Sequence, residues 1–170
     1  MMNHHLAPDL MRVPRMTPSY TLDQPIRTLH DFADRAGAAP EYADEQLMEK
    51  IGVKIVEWDP NRIVAKMPVN GNRQPHGLLH GGANAVLAET LGTIAATLYA
   101  APNRVVLGLE LSCTHHRAAV DGWVTGVCKP LHTGRNTASY EIVVSDHDGN
   151  RICTARFTCV LSERIPDVSL

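Results

Sequence analysis

The chain has little net charge, few aromatic residues and no low-complexity tract, and each of these absences narrows what it can be. A formal charge of -2, with no basic run, leaves no electrostatic footprint for a nucleic-acid backbone, so nucleic acid is not an expected partner. The four cysteines, Cys113, Cys128, Cys153 and Cys159, show no C-x-x-C spacing and fall inside predicted strands. They read as reduced, small core residues of a cytoplasmic protein and are assigned no chemistry. No G-x-S-x-G elbow supplies a nucleophilic serine. The opening stretch MMNHHLAPDLMRVPRM lacks the apolar region of a secretory signal. The one apolar run long enough to suggest a membrane span is interrupted by Asn84, Glu89, Thr90, Thr93 and Thr97, so no membrane span is expected.

What is present suits one domain. With 170 residues and 44% hydrophobic content the chain can build an adequate core over 41–170. Residues 1–40 carry Pro8, Pro14, Pro18, Pro25 and Pro40 with little periodicity and read as an extended or partly disordered arm. A short helix is expected near 43–50, then a hairpin of strands 51–58 and 62–69 turned by Asp59-Pro60-Asn61. A long helix over 83–100 follows, and then strands over 104–116, 122–131, 137–145 and 151–161, expected to pair antiparallel in series. One long helix between a hairpin and a four-strand meander implies an α+β layout, an antiparallel sheet wrapped around a central helix.

The helix carries the most informative residue. Leu87, Leu91, Ile94 and Leu98 recur at i, i+4, i+7 and i+11, a stripe that must face a core. Glu89 lies opposite, among Ala85, Val86, Gly92, Thr93, Ala96 and Ala100. A carboxylate on a small, otherwise uncharged face suggests close approach of a substrate or another helix, and catalysis as the reason for the charge. The competing reading is a solvated outer face. Thr93, one turn on, can set a hydroxyl beside the carboxylate or simply pack.

Upstream, Gln74-Pro75-His76-Gly77-Leu78-Leu79-His80-Gly81-Gly82 has the proline and glycines of a loop that a ligand can approach closely. Glycines at a helix start expose backbone N–H groups at the positive end of the helix dipole, a place suited to a developing oxyanion, so the Gly81 N–H is a candidate donor. His76 and His80 stand four apart, but glycines break the helix between them and the H-E-x-x-H glutamate is missing, so no metal is expected.

An H-G-G helix start with an acidic residue nine positions after the histidine, together with Gln74 and Thr93, resembles the hotdog-fold acyl-CoA thioesterases, in the 4-hydroxybenzoyl-CoA thioesterase branch that uses glutamate. The segments GLLHGGANAVLAETLG, VVLGLELSCTHHR and GVCKPLHTGRN are most similar to the group holding bacterial 1,4-dihydroxy-2-naphthoyl-CoA hydrolases and relatives that proofread aryl-carrier proteins. The resemblance covers about residues 45–163 and leaves the arm out. It implies a hotdog fold and a cytoplasmic thioesterase for aromatic acyl-CoA, with no metal or redox cofactor. Glu89 would be nucleophile or general base, Gly81 the oxyanion donor, Gln74 and His80 substrate-orienting, and Thr93 a water-positioning hydroxyl where the group tends to have serine. Coenzyme A contacts would come from Gly108, from His115, His116, Arg117 and Ala118, and from His132, Thr133, Gly134, Arg135, Asn136 and Thr137. Adjacent histidines in a strand face opposite ways, so one of His115 and His116 faces a given ligand. The family pairs as homodimers or homotetramers with each site lined by two subunits. Proofreading of a loaded carrier protein, or acyl-CoA binding without turnover, are the alternatives.

Overall fold

The computed structural model describes residues 31–32, 46–100 and 104–163. In chain order the elements are α1 (Leu47–Lys50), β1 (Lys54–Asp59), β2 (Arg62–Pro68), α2 (Gly81–Ala100), β3 (Val105–His115), β4 (Trp123–Thr133), β5 (Thr137–Ser145) and β6 (Arg151–Ser162). The expected arm over 1–40 lies outside the described residues except for Asp31 and Phe32, which are helical. Phe32 packs against the core beside Trp58, with ring centroids 6.1 Å apart.

All six strands form one antiparallel sheet in the order β1-β2-β4-β5-β6-β3. Alternation drives it: in β5 the buried Ala138, Tyr140, Ile142 and Val144 take every second position, so one face is core and the other is not. The expected four-strand series is corrected here. β4, β5 and β6 do form a meander, but β3 pairs with β6 and not with β4, and residues 116–122 carry the chain back across the sheet. Strand periodicity reports which face is buried and not which neighbour is paired, so it could not show this. β3 thereby becomes an edge strand, with an irregularity between Gly108 and Glu110 that leaves Leu109 61% exposed.

Two element starts also differ from expectation. β1 begins at Lys54, because residues 51–53 close α1 through Gly52, whose φ of 73° suits glycine. The long helix begins at Gly81, two residues earlier than expected. Of α1, residues 43–45 lie outside the described residues.

α2 lies across the sheet with the expected stripe inward: Leu87, Leu91 and Ile94 are buried, and Leu98 packs at its end. Each fully buried side chain of this size contributes roughly 1.5–3 kcal/mol. Contact is close because each surface supplies a glycine to the other. A Cβ on Gly126 in β4 would lie 2.8 Å from Leu91 Cδ1, and a Cβ on Gly92 in α2 would lie 2.3 Å from the Phe157 ring. Gly92 and Ala96 are thus buried under the sheet and do not extend the small-residue face around Glu89. The cysteines sit in strands with free thiols, and burial pushes Cys128 and Cys153 up to about 12, so they remain protonated core groups. Among the described residues no helix is long and apolar enough to cross a membrane.

The Gly92–Phe157 contact makes a stability prediction. Gly92→Ala gains about 1 kcal/mol of helix propensity but forces the ring away, a strain of about 1–3 kcal/mol. A lowered urea midpoint with unchanged slope is expected; an equal or raised midpoint would show that the sheet relaxes freely.

Candidate active site

The loop before α2 is tied down along its length. Asn72 donates through Nδ2 to Ile51 O at 2.8 Å and Pro68 O at 2.9 Å, and its own carbonyl accepts from the His80 N–H at 2.8 Å. The Gln74 N–H reaches Leu78 O at 2.8 Å, and the turn closes through Gly77, whose φ is 81°. The Leu79 N–H donates to Ala119 O at 2.8 Å, while the Arg73 guanidinium donates to Gly77 O and Val120 O. The loop is thereby pinned to the connection between β3 and β4.

His80 explains why the helix starts early. The first N–H groups of a helix have no intrahelical acceptor. Here the His80 Nδ1 accepts from the Gly82 N–H at 2.9 Å, and its carbonyl accepts from the Ala83 N–H at 2.9 Å. The histidine is an N-cap that draws both glycines into the first turn, and its Nδ1 is committed there. The Gly81 N–H is left unclaimed by the other described residues, at the positive end of the helix.

A cavity of about 340 Å³ is lined by Gly81 and brings it together with Gln74, His115, His116, Arg117 and Ala118. β3 ends at His115, so strand alternation does not govern the pair, and both histidines line this cavity, where one was expected to face a ligand. His115 turns to the helix, with Nδ1 3.4 Å from Asn84 Nδ2, while His116 Nε2 lies 2.9 Å from Thr154 Oγ1. Asn84, which in the sequence stands out only as a polar residue disfavouring a membrane span, also lines the cavity.

Glu89 and Thr93 lie elsewhere. They share a second cavity of about 320 Å³, walled by Phe32, Leu47, Met48 and Val86. Glu89 is exposed in the single chain. Gly108 of β3 sits directly against it: a Cβ at that position would lie 3.3 Å from Glu89 Oε1 and 3.2 Å from Phe157. Gly108, expected among the coenzyme A contacts, thus stands beside the carboxylate.

Turn 134–136, between β4 and β5, lies at the other end of α2, where Tyr99 reaches Gly134 O at 3.5 Å. The Gly134 N–H donates to Thr137 O at 2.9 Å, Asn136 O accepts from the Leu161 N–H at 2.8 Å, and the Arg104 guanidinium donates to Arg135 O. His132, Thr133, Arg135, Asn136 and Thr137 are exposed around this turn. Within one chain the expected site residues therefore form three groups, at the start, the middle and the end of the helix. Gly81 and Glu89 are eight residues apart, about 12 Å along the axis and about 80° around it.

The chain is similar to known proteins in sequence and in fold. A family model described as the thioesterase superfamily matches residues 76–153. The chain is 46% identical over 113 residues to the proofreading thioesterase EntH of Cronobacter turicensis, covering 66% of this chain and 82% of the relative. It is 45% identical over 121 residues to EntH of Klebsiella pneumoniae, covering 70% and 88%. Among solved structures, thioesterase PA1618 from Pseudomonas aeruginosa, crystallised as a mutant, superposes with a TM-score of 0.71 at 31% identity, covering 82% of this chain and 96% of its own. Thioesterase HI1161 from Haemophilus influenzae gives 0.72 at 27% identity, covering 85% and 96%.

The capping role of His80 is separable from any contact with a ligand. His80→Ala should lower stability by about 1 kcal/mol, and His80→Asn, whose side chain also caps, should restore most of it. Chemical denaturation reads both; equal stability of all three proteins would remove the cap.

Proposed function

The chain belongs to the thioesterase superfamily and is a thioester hydrolase of the hotdog fold, and from that premise we propose that it cleaves aromatic acyl thioesters of a pantetheine carrier in a site shared by two copies of the chain. The observation that carries this is the separation of Gly81 from Glu89. A reacting carbonyl needs its oxyanion donor and its attacking group each about 3 Å away. A donor and a carboxylate held about 12 Å apart on one helix do not meet that requirement together. A second copy supplies the missing half: Gly81 and Gln74 from one chain, Glu89 and Thr93 from the other. The edge strand β3, which carries Gly108 beside Glu89, has ladder groups free on one side to receive such a partner. A homodimer is the smallest assembly that works, and a homotetramer repeats it.

The Gly81 N–H, at the positive end of the helix, stabilises the oxygen as the thioester carbonyl becomes tetrahedral. Glu89 either attacks the carbonyl carbon, expelling the thiolate and leaving an anhydride that water cleaves, or removes a proton from water as it attacks. Both routes yield a carboxylic acid and a thiol and need no redox partner. Thr93 shares the cavity of Glu89 and can hold the water. The acyl group occupies the cavity walled by Phe32, Leu47 and Met48, whose apolar lining suits an aromatic ring. Arg117 and Arg135, with the glycine-containing turn at Gly134, suit the phosphates of coenzyme A.

A second reading has a specific observation behind it. The relatives with 44% to 46% identity are named proofreading thioesterases, which favours an acyl group borne on a carrier protein. The catalytic geometry is common to both, and only the bearer of the pantetheine arm differs.

The test is thiol release from aromatic and aliphatic acyl-CoA esters and from an aryl-loaded carrier protein, with wild type beside Glu89→Gln. Turnover of aromatic esters, reduced at least about a thousand-fold in the variant with binding retained, is expected. A variant with near wild-type rate would end the role of Glu89. Release from the loaded carrier far exceeding that from every CoA ester would select the second reading.

A further inference from the structure

The side chain of Asn84 is 4% exposed, lines the first cavity, and leaves its Oδ1 without a hydrogen-bond partner among the described residues. An orphan of this kind costs about 1–3 kcal/mol, so its persistence beside the site calls for a cause. The cause lies in its other end. Asn84 Nδ2 is 3.4 Å from His115 Nδ1, and the opposite ring nitrogen, Nε2, lies 2.9 Å from where a Cβ on Gly81 would stand. The imidazole therefore bridges a buried amide and Gly81, beside which it lines the first cavity.

Two arrangements of this pair exist. With Nδ2 donating, His115 Nδ1 is an acceptor, its proton sits on Nε2, and one carbonyl oxygen is orphaned. With the amide turned over, Nδ1 donates to Oδ1, and an NH₂ carrying two donors is left without a partner instead. Buried N–H groups are orphaned more rarely than carbonyl oxygens, so the first arrangement is favoured. The hydrogen bond at one ring nitrogen then sets what the other presents.

The geometry points to Asn84 as a positioning residue that holds His115 in the Nε2–H form and aims that N–H at the carbonyl-binding space beside Gly81. This rests on the thioester reading and adds to it a second hydrogen-bond donor, a neutral histidine, next to the backbone one. It also gives a reason for glycine at position 81: a side chain there would displace Nε2 from its place.

The test has one readout that needs no activity. Long-range proton–nitrogen NMR of the ¹⁵N-labelled full chain, with the His115 signals identified by their loss in His115→Gln, reports which ring nitrogen carries the proton. The proton is expected on Nε2 in wild type and on Nδ1 in Asn84→Asp, whose carboxylate only accepts. On the thioester found by the activity panel, Asn84→Asp should lower kcat about a hundred-fold with KM little changed, as for loss of one oxyanion donor. Adding His115→Gln to it should cost little more, since the two act as a unit. A wild-type proton on Nδ1 would overturn the proposal, as would an inverted tautomer with undiminished kcat. If wild type cleaves no thioester, the functional reading falls, while the wild-type spectrum still decides the pairing.

Discussion

An α-helix rises 1.5 Å per residue, and the organisation of this protein follows from that constraint acting between Gly81 and Glu89. The helix cannot shorten that distance, and its register on the sheet is locked as well. Leu87 and Leu91 sit over Gly126, and the Phe157 ring sits over Gly92. Sliding α2 by one residue would bring a Cβ where only hydrogen fits. A donor at the helix start and a carboxylate two turns on are thus held at separate stations. In the proposed site, chemistry requires a second chain to bring complementary stations together.

The same locked helix organises what surrounds each station. At its start, a loop pinned by Asn72, Arg73 and Leu79 presents Gln74, the end of β3 presents His115, and the β3–β4 connection presents Arg117. At its middle, the irregular edge of β3 brings Gly108 against Glu89. At its end, Tyr99 meets the turn that holds Arg135. One strand, β3, therefore touches the first station with His115 and the second with Gly108. Its position at the edge of the sheet is what leaves Glu89 open.

Much of this was legible in the residues, for identifiable reasons. Period-two alternation located β5 to the residue, and the leucine stripe gave the buried face of α2, because burial selects residue types directly. Glu89 stood out as one charge on an otherwise uncharged helix. Pairing order was not legible: β3 reads as any half-buried strand, and nothing local marks β6 as its neighbour. The helix start was misjudged because two glycines look like loop until His80 is seen to cap them. Asn84 was overlooked for a related reason. Its partner His115 lies 31 positions away, and only the fold shows that the amide is buried and the ring held. The lining of the second cavity by Phe32 also depends on a contact between segments distant in sequence.

The shared site is tested most directly by mixing two inactive chains. Glu89→Gln keeps the Gly81 station, and Gly81→Val fills that station while keeping Glu89. Co-expressed in equal amounts, they should form mixed dimers in which one of two sites has both intact halves, restoring about a quarter of wild-type activity, since half of the dimers are mixed. No activity above that of the separate variants, with mixed dimers shown to be present, would mean that each chain works alone.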